Sequence, residues 1–221
     1  TPDAPTIAVA ELALGLMLDL SRKITFTHKN LAIDSIWNRH MGQLLYGKTV
    51  GIIGLGRIGK SLSRMLSGFN VNLVAHDLQP DLAFLKMFHI QSLDKESLLK
   101  SADIISINIP LKADTKDYIG TEELKMMKSS SLLINTARGG IINEDALALA
   151  LLNQQIAGAA IDVFETEPYK GKFQTLSNCV LTCHMGASTI ESRTAMETEA
   201  VLEAILFAKT GQLKNEVFDN V

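Results

Sequence analysis

The 221-residue sequence predicts an α/β protein with a doubly wound parallel sheet, and three observations support that fold class. Short runs rich in Val and Ile, which are typical of strands buried on both faces, alternate with segments of helical periodicity. The first run, Val50 to Ile53, leads directly into a glycine-rich turn. The composition is 47% hydrophobic with only 5% aromatic residues, which favours an α/β protein over a β-sandwich.

The elements follow in this order. A long apolar helix is predicted from Thr6 to about His28, and a weakly periodic loop with Trp37 comes after it. Trp37 either anchors a neighbouring chain or fills a local crevice. The predicted strands are Lys48 to Gly54, Val71 to His76, Ile104 to Ile107, Ser131 to Asn135, Ile156 to Val163 and Cys179 to Thr182. The other predicted helices are Arg57 to Gly68, Asp94 to Lys100, Thr121 to Met127 capped by Thr121, Asn143 to Gln154 capped by Asn143, and a last one after Gly186 to about Thr210. Residues 212–221 are expected to be irregular.

The turn at Gly54, Gly56 and Gly59 carries the first functional prediction. Its G-x-G-x-x-G spacing places glycine where the chain reverses, where backbone approaches a pyrophosphate and where helix packs on strand. The phosphates then lie on free N–H groups at the start of the helix, which begins with Arg57 and Ile58. A glycine-rich turn can also exist for packing alone, so the surrounding strands decide between the two interpretations.

The second predicted strand ends at Asp77, the position at which a carboxylate binds the ribose hydroxyls of NAD. The same carboxylate would repel the 2′-phosphate of NADP. The sequence therefore predicts a Rossmann-type dinucleotide site that prefers NAD to NADP.

The composition argues against nucleic acid and membranes as binding partners. There are 21 Lys and Arg against 24 Asp and Glu, and the net charge of -3 provides no field that attracts nucleic acid or an anionic membrane. No apolar run reaches the roughly 18 residues of a membrane span. Cys179 and Cys183 share one predicted strand face, where a disulfide is implausible, so a reducing cytoplasmic setting is expected. No Cys-x-x-Cys pair or second His accompanies Cys183, and no metal site is predicted.

Three polar side chains follow consecutive predicted strands. Arg138, Glu167 and His184 all leave the carboxyl edge of the sheet, where ligands of open α/β sheets bind. Reduction of a 2-oxo acid by NADH needs a proton donor, which suits His184, and a carboxylate that orients the imidazole, which suits Glu167. Arg138 can hold the substrate carboxylate with two parallel hydrogen bonds. Singly, each residue is better explained as a structural or solvated group, and it is their combination beside a nucleotide turn that indicates catalysis.

Several long motifs resemble the NAD-dependent D-2-hydroxyacid dehydrogenases. They are Gly-Leu-Gly-Arg-Ile-Gly at 54–59, Ile-Asn-Thr-Ala-Arg-Gly-Gly at 134–140, Ala-Ile-Asp-Val-Phe-Glu-Thr-Glu-Pro at 160–168 and His-Met-Gly-Ala-Ser-Thr at 184–189. The resemblance implies catalytic Arg138, Glu167 and His184, with Asp162 near the nicotinamide carboxamide. The expected cofactor-binding residues are Gly54, Gly56, Arg57, Ile58, Gly59, Asp77, Pro110, Thr115, Thr136, Ala137, Arg138, Asp162, His184 and Gly186.

The resemblance also implies partners and substrate. The substrate is expected to be a small 2-hydroxy or 2-oxo acid, and the Gly-Ala-Ser-Thr segment at 186–189 is more similar to D-3-phosphoglycerate dehydrogenases of serine biosynthesis than to lactate or glyoxylate enzymes. A homodimer is expected, with the Trp37 region as a contact. An NAD(H)-sensing binding protein, like the corepressors that resemble these enzymes, is the alternative.

Two departures from the family pattern stand out. Cys183 occupies the position where the family usually has proline before the histidine. The N-terminal substrate domain of the family is largely absent, so residues 1–28 are expected to be a connecting helix, 29–189 the NAD-binding domain and 190–221 a helix returning to the substrate domain. Such a chain is expected to bind NAD while its catalysis is weak or nil.

Overall fold

A computed structural model describes residues 1 and 3–216, and within them a seven-stranded parallel sheet carries helices on both faces. The strands are β1 Thr49–Ile53, β2 Asn72–His76, β3 Gln91–Ser92, β4 Ile104–Ile107, β5 Leu132–Asn135, β6 Gly158–Ile161 and β7 Cys179–Leu181. The helices are α1 Thr6–Arg22, α2 Ile24–Ala32, α3 Arg57–Leu66, α4 Leu82–Met87, α5 Lys95–Ser101, α6 Thr121–Met126, α7 Glu144–Leu152 and α8 Ile190–Thr210. The predicted doubly wound α/β fold is confirmed.

The order of the strands creates a crevice at one edge of the sheet. The strand order is β3-β2-β1-β4-β5-β6-β7. Strands β2 and β3 therefore lie on one side of β1, and β4 to β7 lie on the other. β1 pairs in parallel with both β2 and β4, with Val50 opposite Leu73 on one side and Ile104 on the other. The direction of winding therefore changes between β1 and β4, and the space above their carboxyl ends is where such sheets bind ligands.

Alternating strand residues divide the core into two layers. Val50 and Ile52 point to the layer covered by α1 and α3, whereas Ile53 and Ile105 point to the opposite layer. Their side chains have no measurable exposure. Because burying an Ile side chain stabilises a fold by about 2 kcal/mol, these runs fix the sheet and, with it, the position of each strand end.

The predicted continuous helix from Thr6 to about His28 is wrong, since it breaks at Lys23. Lys23 adopts a left-handed φ of +55° between α1 and α2. The Asp19 carboxylate accepts the backbone N–H of Thr25 at 2.7 Å and also the Thr25 hydroxyl, so it caps the second helix. This side-chain cap replaces the backbone bonds lost at the break.

Smaller corrections concern element ends. Gly120, not Thr121, is the N-cap of α6, and the Glu123 carboxylate accepts the Gly120 N–H at 3.1 Å. The short elements α4 and β3 were not predicted, and Asp81 caps α4. The first predicted helix ends too early, since α2 continues to Ala32 and does not stop near His28. The other boundaries agree to within about two residues. Residues 212–216 contain no regular element, as expected, and 217–221 lie outside the described residues. None of the helices described is apolar over a stretch long enough to cross a bilayer.

Candidate active site

The turn between β1 and α3 combines two closely packed glycines with an open one. Gly54 has a φ of +90°, and a Cβ there would lie 2.7 Å from the carbonyl oxygen of Asn108. A Cβ on Gly59 would lie 2.1 Å from the carbonyl oxygen of Gly54. At Gly56, the N-cap of α3, no atom of the described residues lies within 4 Å of the Cβ position. The fold itself requires Gly54 and Gly59, whereas Gly56 leaves an open cradle before free helix N–H groups, which fits a pyrophosphate.

Asp77 lies at the end of β2 and reaches back to this turn. One carboxylate oxygen accepts the backbone N–H of Leu55 at 2.6 Å, and the other accepts that of Gln79 at 2.8 Å. Asp77 therefore braces the glycine turn. Because each carboxylate oxygen has two acceptor positions, it also keeps the capacity to bind ribose hydroxyls.

A cavity of about 1150 Å³ extends from the glycine turn to the ends of β6 and β7. Among the predicted cofactor residues, those that line it are Arg57, Ile58, Pro110, Thr136, Ala137, Arg138, Asp162, His184 and Gly186. Gly54, Gly56, Gly59 and Asp77 form or contact the adjoining turn. Thr115 lies apart from the lining, and its hydroxyl donates to the carbonyl oxygen of Pro110 at 2.7 Å, so it braces the loop after β4.

The structure brings Glu167 and His184 into direct contact. Glu167 Oε2 lies 2.8 Å from His184 Nδ1, and Glu167 Oε1 accepts the backbone N–H of Phe164 at 3.0 Å. The hydrogen bond with His184 holds the pKa of Glu167 below its ordinary value, and the Phe164 N–H and the nearby Arg138 charge act in the same direction. Glu167 is thus ionised at neutral pH and fixes the ring so that Nε2 is left for proton exchange.

Asp162 secures the loop that carries His184. Its buried carboxylate accepts the Thr182 hydroxyl at 2.6 Å and the backbone N–H groups of Met185 at 2.9 Å and Gly186 at 3.0 Å. Its carbonyl oxygen accepts the backbone N–H of His184 at 2.7 Å. His184 has a φ of +52°, a conformation that costs energy for a residue with a Cβ. The bonds to Asp162 on both sides of the histidine maintain that conformation.

Arg138 follows β5 and remains exposed at the cavity wall. Its guanidinium donates to the carbonyl oxygen of Ala137 at 2.7 Å, and among the described residues it forms no ion pair with a carboxylate. A Cβ on the next residue, Gly139, would lie 2.0 Å from the backbone of Phe164, so the loop bearing Arg138 presses against the loop bearing Glu167. The arrangement leaves a free cation beside an imidazole and its orienting carboxylate.

Sequence reasoning missed Asn108, which lines the same cavity. Its side-chain oxygen is buried without a hydrogen-bond partner among the described residues, and so is the hydroxyl of Thr136. The available signal was its position, because Asn108 is the first residue after β4 at the crevice. Both residues line the cavity, while these two oxygen atoms are enclosed by the protein itself.

The two cysteines are both free thiols, and they differ in exposure. Cys183 is exposed beside His184, whereas burial raises the pKa of Cys179 to about 12. Cys179 is therefore not a nucleophile at neutral pH. Within residues 1 and 3–216, no group of three or more His, Cys, Asp or Glu side chains is arranged to hold a metal ion.

Comparison with known proteins identifies the domain. The model of the D-isomer specific 2-hydroxyacid dehydrogenase, NAD binding domain, matches residues 14–186. D-3-phosphoglycerate dehydrogenase of Methanocaldococcus jannaschii is 40% identical over 98% of this chain and 42% of that protein. Glyoxylate reductase of Thermofilum pendens is 38% identical over 95% of this chain and 64% of that protein. The chain thus spans less than two thirds of the length of these curated relatives.

Solved structures agree with these matches. A glyoxylate reductase from Paecilomyes thermophila superposes with a TM-score of 0.92 at 29% identity, over 100% of this chain and 68% of that one. The NAD complexed form of a D-isomer specific 2-hydroxyacid dehydrogenase from Lactobacillus delbrueckii ssp. bulgaricus gives 0.84 at 28% identity, over 96% of this chain and 69% of that one. The Rossmann-type architecture and NAD, the predicted cofactor, are confirmed.

Proposed function

The chain belongs to the D-isomer specific 2-hydroxyacid dehydrogenase family, and we propose that the protein transfers a hydride between the nicotinamide of NAD and a D-2-hydroxy acid or 2-oxo acid. The observation that carries the proposal is the 2.8 Å contact between Glu167 Oε2 and His184 Nδ1 beside a cavity that also holds Arg138.

Each of the three residues has one role in this reaction. His184 Nε2 donates a proton to the oxygen of the 2-oxo group during reduction and accepts it during oxidation. Glu167 fixes the ring and stabilises its protonated form. Arg138 holds the substrate carboxylate, because its guanidinium has no carboxylate partner in the described part of the chain. Gly56, Asp77, Thr136 and Asp162 would hold NAD, which would supply or receive the hydride when bound.

We infer that D-3-phosphoglycerate is the first substrate to test. A protein that acts on it would belong to serine biosynthesis. The Gly-Ala-Ser-Thr segment after His184 supports it, and so does the name of the Methanocaldococcus jannaschii relative. Glyoxylate is the second candidate, because the Thermofilum pendens relative is named glyoxylate reductase.

A homodimer in the cytoplasm completes the proposal. The segment 33–46 is irregular and exposes large apolar side chains, with Trp37 79% and Met41 86% exposed. An apolar segment of this kind supports a contact with a second copy. Light scattering should give a dimer for the protein and a smaller species for Trp37→Ala. The free thiols support the reducing compartment.

The domain roles are part of the same proposal. Residues 1–28 connect to a substrate domain, 29–189 bind NAD, and 190–221 return to the substrate domain. The exposure of Val201, Leu202 and Phe207 on α8 supports this assignment, because these side chains have little contact within the described residues.

Hydride transfer is tested with full-length protein and a panel of 2-oxo acids, followed by NADH absorbance. Turnover should be abolished in His184→Ala and retained in His28→Ala, whose histidine is exposed on α2. Tight NADH binding without turnover on any 2-oxo acid would contradict the enzyme and favour the NAD(H)-sensing protein.

A further inference from the structure

The loop that carries Glu167 is held by a second carboxylate, which lies outside the proposed catalytic group. Glu144 Oε1 accepts the backbone N–H of Glu165 at 2.8 Å. The preceding N–H, that of Phe164, donates to Glu167 Oε1 at 3.0 Å. Two consecutive N–H groups of one loop are therefore each bound by a carboxylate, and one of these carboxylates belongs to the residue that orients His184.

The position of Glu144 is set by the start of α7. Glu144 is the first residue of this helix, and the N-cap Asn143 accepts the backbone N–H of Ala146 at 2.9 Å. The segment before α7 also lies against the same loop, since a Cβ on Gly140 would lie 3.8 Å from Glu165 Cγ. Because the start of the helix is capped and adjoins the loop, a side chain on its first turn can fix the loop.

The surroundings of Glu144 favour its role as an acceptor over its charge. Burial raises the pKa of Glu144, and the negative charges of Glu165 and Asp145 act in the same direction, while the hydrogen bond from the Glu165 N–H opposes them. The ionised form is thus disfavoured where it stands. What Glu144 supplies to the loop is a hydrogen-bond acceptor, which an amide oxygen can also provide.

We propose that Glu144 is a positioning residue for the proposed catalytic pair, acting through the backbone of Glu165 to keep Glu167 against His184. Without this bond, the backbone at Glu165 loses its restraint two residues before Glu167, whose Oε2 must reach His184 Nδ1 at 2.8 Å. A displacement of about 1 Å is enough to slow a reaction that depends on such geometry. The inference rests on the proposed dehydrogenase function, and Glu144 itself lies outside the cavity lining.

The test compares Glu144→Leu and Glu144→Gln, with Asp145→Leu as the matched control. Asp145 is the next residue of the same first turn, and its carboxylate pairs with Lys172 at 2.6 Å. Glu144→Leu and Asp145→Leu each remove one negative charge from the start of α7, so they share any loss of interaction with the helix dipole. Glu144→Gln removes the charge and keeps the acceptor.

The first measurement is steady-state kinetics of the full-length protein. Glu144→Leu should lower kcat by roughly 10- to 100-fold and leave the KM of the 2-oxo acid within about 2-fold, because only proton transfer loses its geometry. Glu144→Gln should keep kcat near the wild-type value, and Asp145→Leu should do the same. A KM that rises with kcat unchanged would place Glu144 in substrate binding and overturn the inference.

The second measurement does not depend on turnover. The hydrogen bond with His184 is the main cause that holds the pKa of Glu167 below its ordinary value of 4.5, and carbon NMR of the Glu167 carboxyl group in the ligand-free chain can follow this pKa. It should rise towards 4.5 in Glu144→Leu and stay low in Glu144→Gln. Loss of the Glu144 charge alone would lower the pKa of Glu167, so a rise reports displacement of Glu167 from His184.

Three further results would overturn the inference. One is a wild-type kcat together with a low Glu167 pKa in Glu144→Leu. Another is a Glu144→Gln variant as impaired as Glu144→Leu, which would assign the effect to the charge. The third is an equal loss in Asp145→Leu, which would assign the effect to the start of α7 in general. If the wild-type full-length protein turned over no 2-oxo acid, the proposed function would fail instead, while the pKa of Glu167 would still decide whether Glu144 positions it.

Discussion

Replacing Gly56 by alanine separates the needs of the fold from those of the cofactor. Gly56 has an ordinary φ of -72°, and its Cβ position is free of described atoms within 4 Å. Alanine is a poorer N-cap than glycine, so Gly56→Ala should cost about 1 kcal/mol of stability. For a chain of this size, that amounts to a Tm lower by about 2–4 °C. The methyl group, however, would stand between the helix N–H groups and a pyrophosphate.

The expected loss of NADH affinity is much larger than the loss of stability. Removing a hydrogen bond to a charged group costs about 1.5–3 kcal/mol, and losing the helix N-terminus adds up to about 1 kcal/mol. Together these predict a Kd for NADH that rises by roughly 100-fold, measured by calorimetry. Gly68→Ala is the control, because its Cβ position is equally free and it follows the other end of α3. If Gly56→Ala bound NADH with wild-type affinity, the pyrophosphate would not lie against Gly56.

Three further outcomes are expected. Because the pKa of Glu167 is lowered in the fold, its stabilising interaction is complete above its ordinary value of 4.5 and is lost as the pH falls through the lowered value; the stability difference between wild type and Glu167→Gln, measured by denaturant titration, should therefore shrink as the pH falls below 4.5, and a difference that does not change in acid would contradict the interaction. Asp162→Asn turns an amide N–H towards a backbone N–H and should cost about 2 kcal/mol, or ~4–8 °C in Tm by calorimetry; an unchanged Tm would contradict its role in the histidine loop. Asp77→Asn should bring the Kd values of NADH and NADPH closer together, because the charge that repels the 2′-phosphate is gone; an unaltered ratio would assign Asp77 to the turn alone.

The sequence predicts the sheet well because its strands are short, mostly apolar runs buried on both faces, such as Ile104–Ile107 with its three isoleucines. The break at Lys23 could not be predicted in the same way, since lysine has no preference for a left-handed φ. It depends on the Asp19 side chain, which caps α2 only after the chain has turned. The N-cap Gly120 was missed because glycine has no capping side chain, whereas the adjacent Thr121 has one; the Glu123 carboxylate, three residues after Gly120, accepts the Gly120 N–H instead.

The candidate site, too, was predictable from the sequence only in part. That Arg138, Glu167 and His184 share one edge follows from the strand pattern, since parallel strands all end at the same side. The contact between Glu167 and His184 depends on two loop conformations that no periodicity encodes. Asn108 was missed because an unpaired atom is recognisable only when all of its neighbours are placed.

The spacing of the three proposed catalytic side chains is set by main-chain contacts between their loops. The Gly139 backbone packs against Phe164, and the Phe164 N–H in turn binds Glu167. The loop after β7 is bonded to Asp162 at the end of β6, through backbone and carboxylate together. Successive loops are therefore tied in series, from Arg138 through Glu167 to His184. Since sites held on mutually bonded loops keep their geometry better than sites on independent ones, the proton-transfer pair is assembled within this domain. A substrate domain would then add walls and water exclusion without having to build the pair.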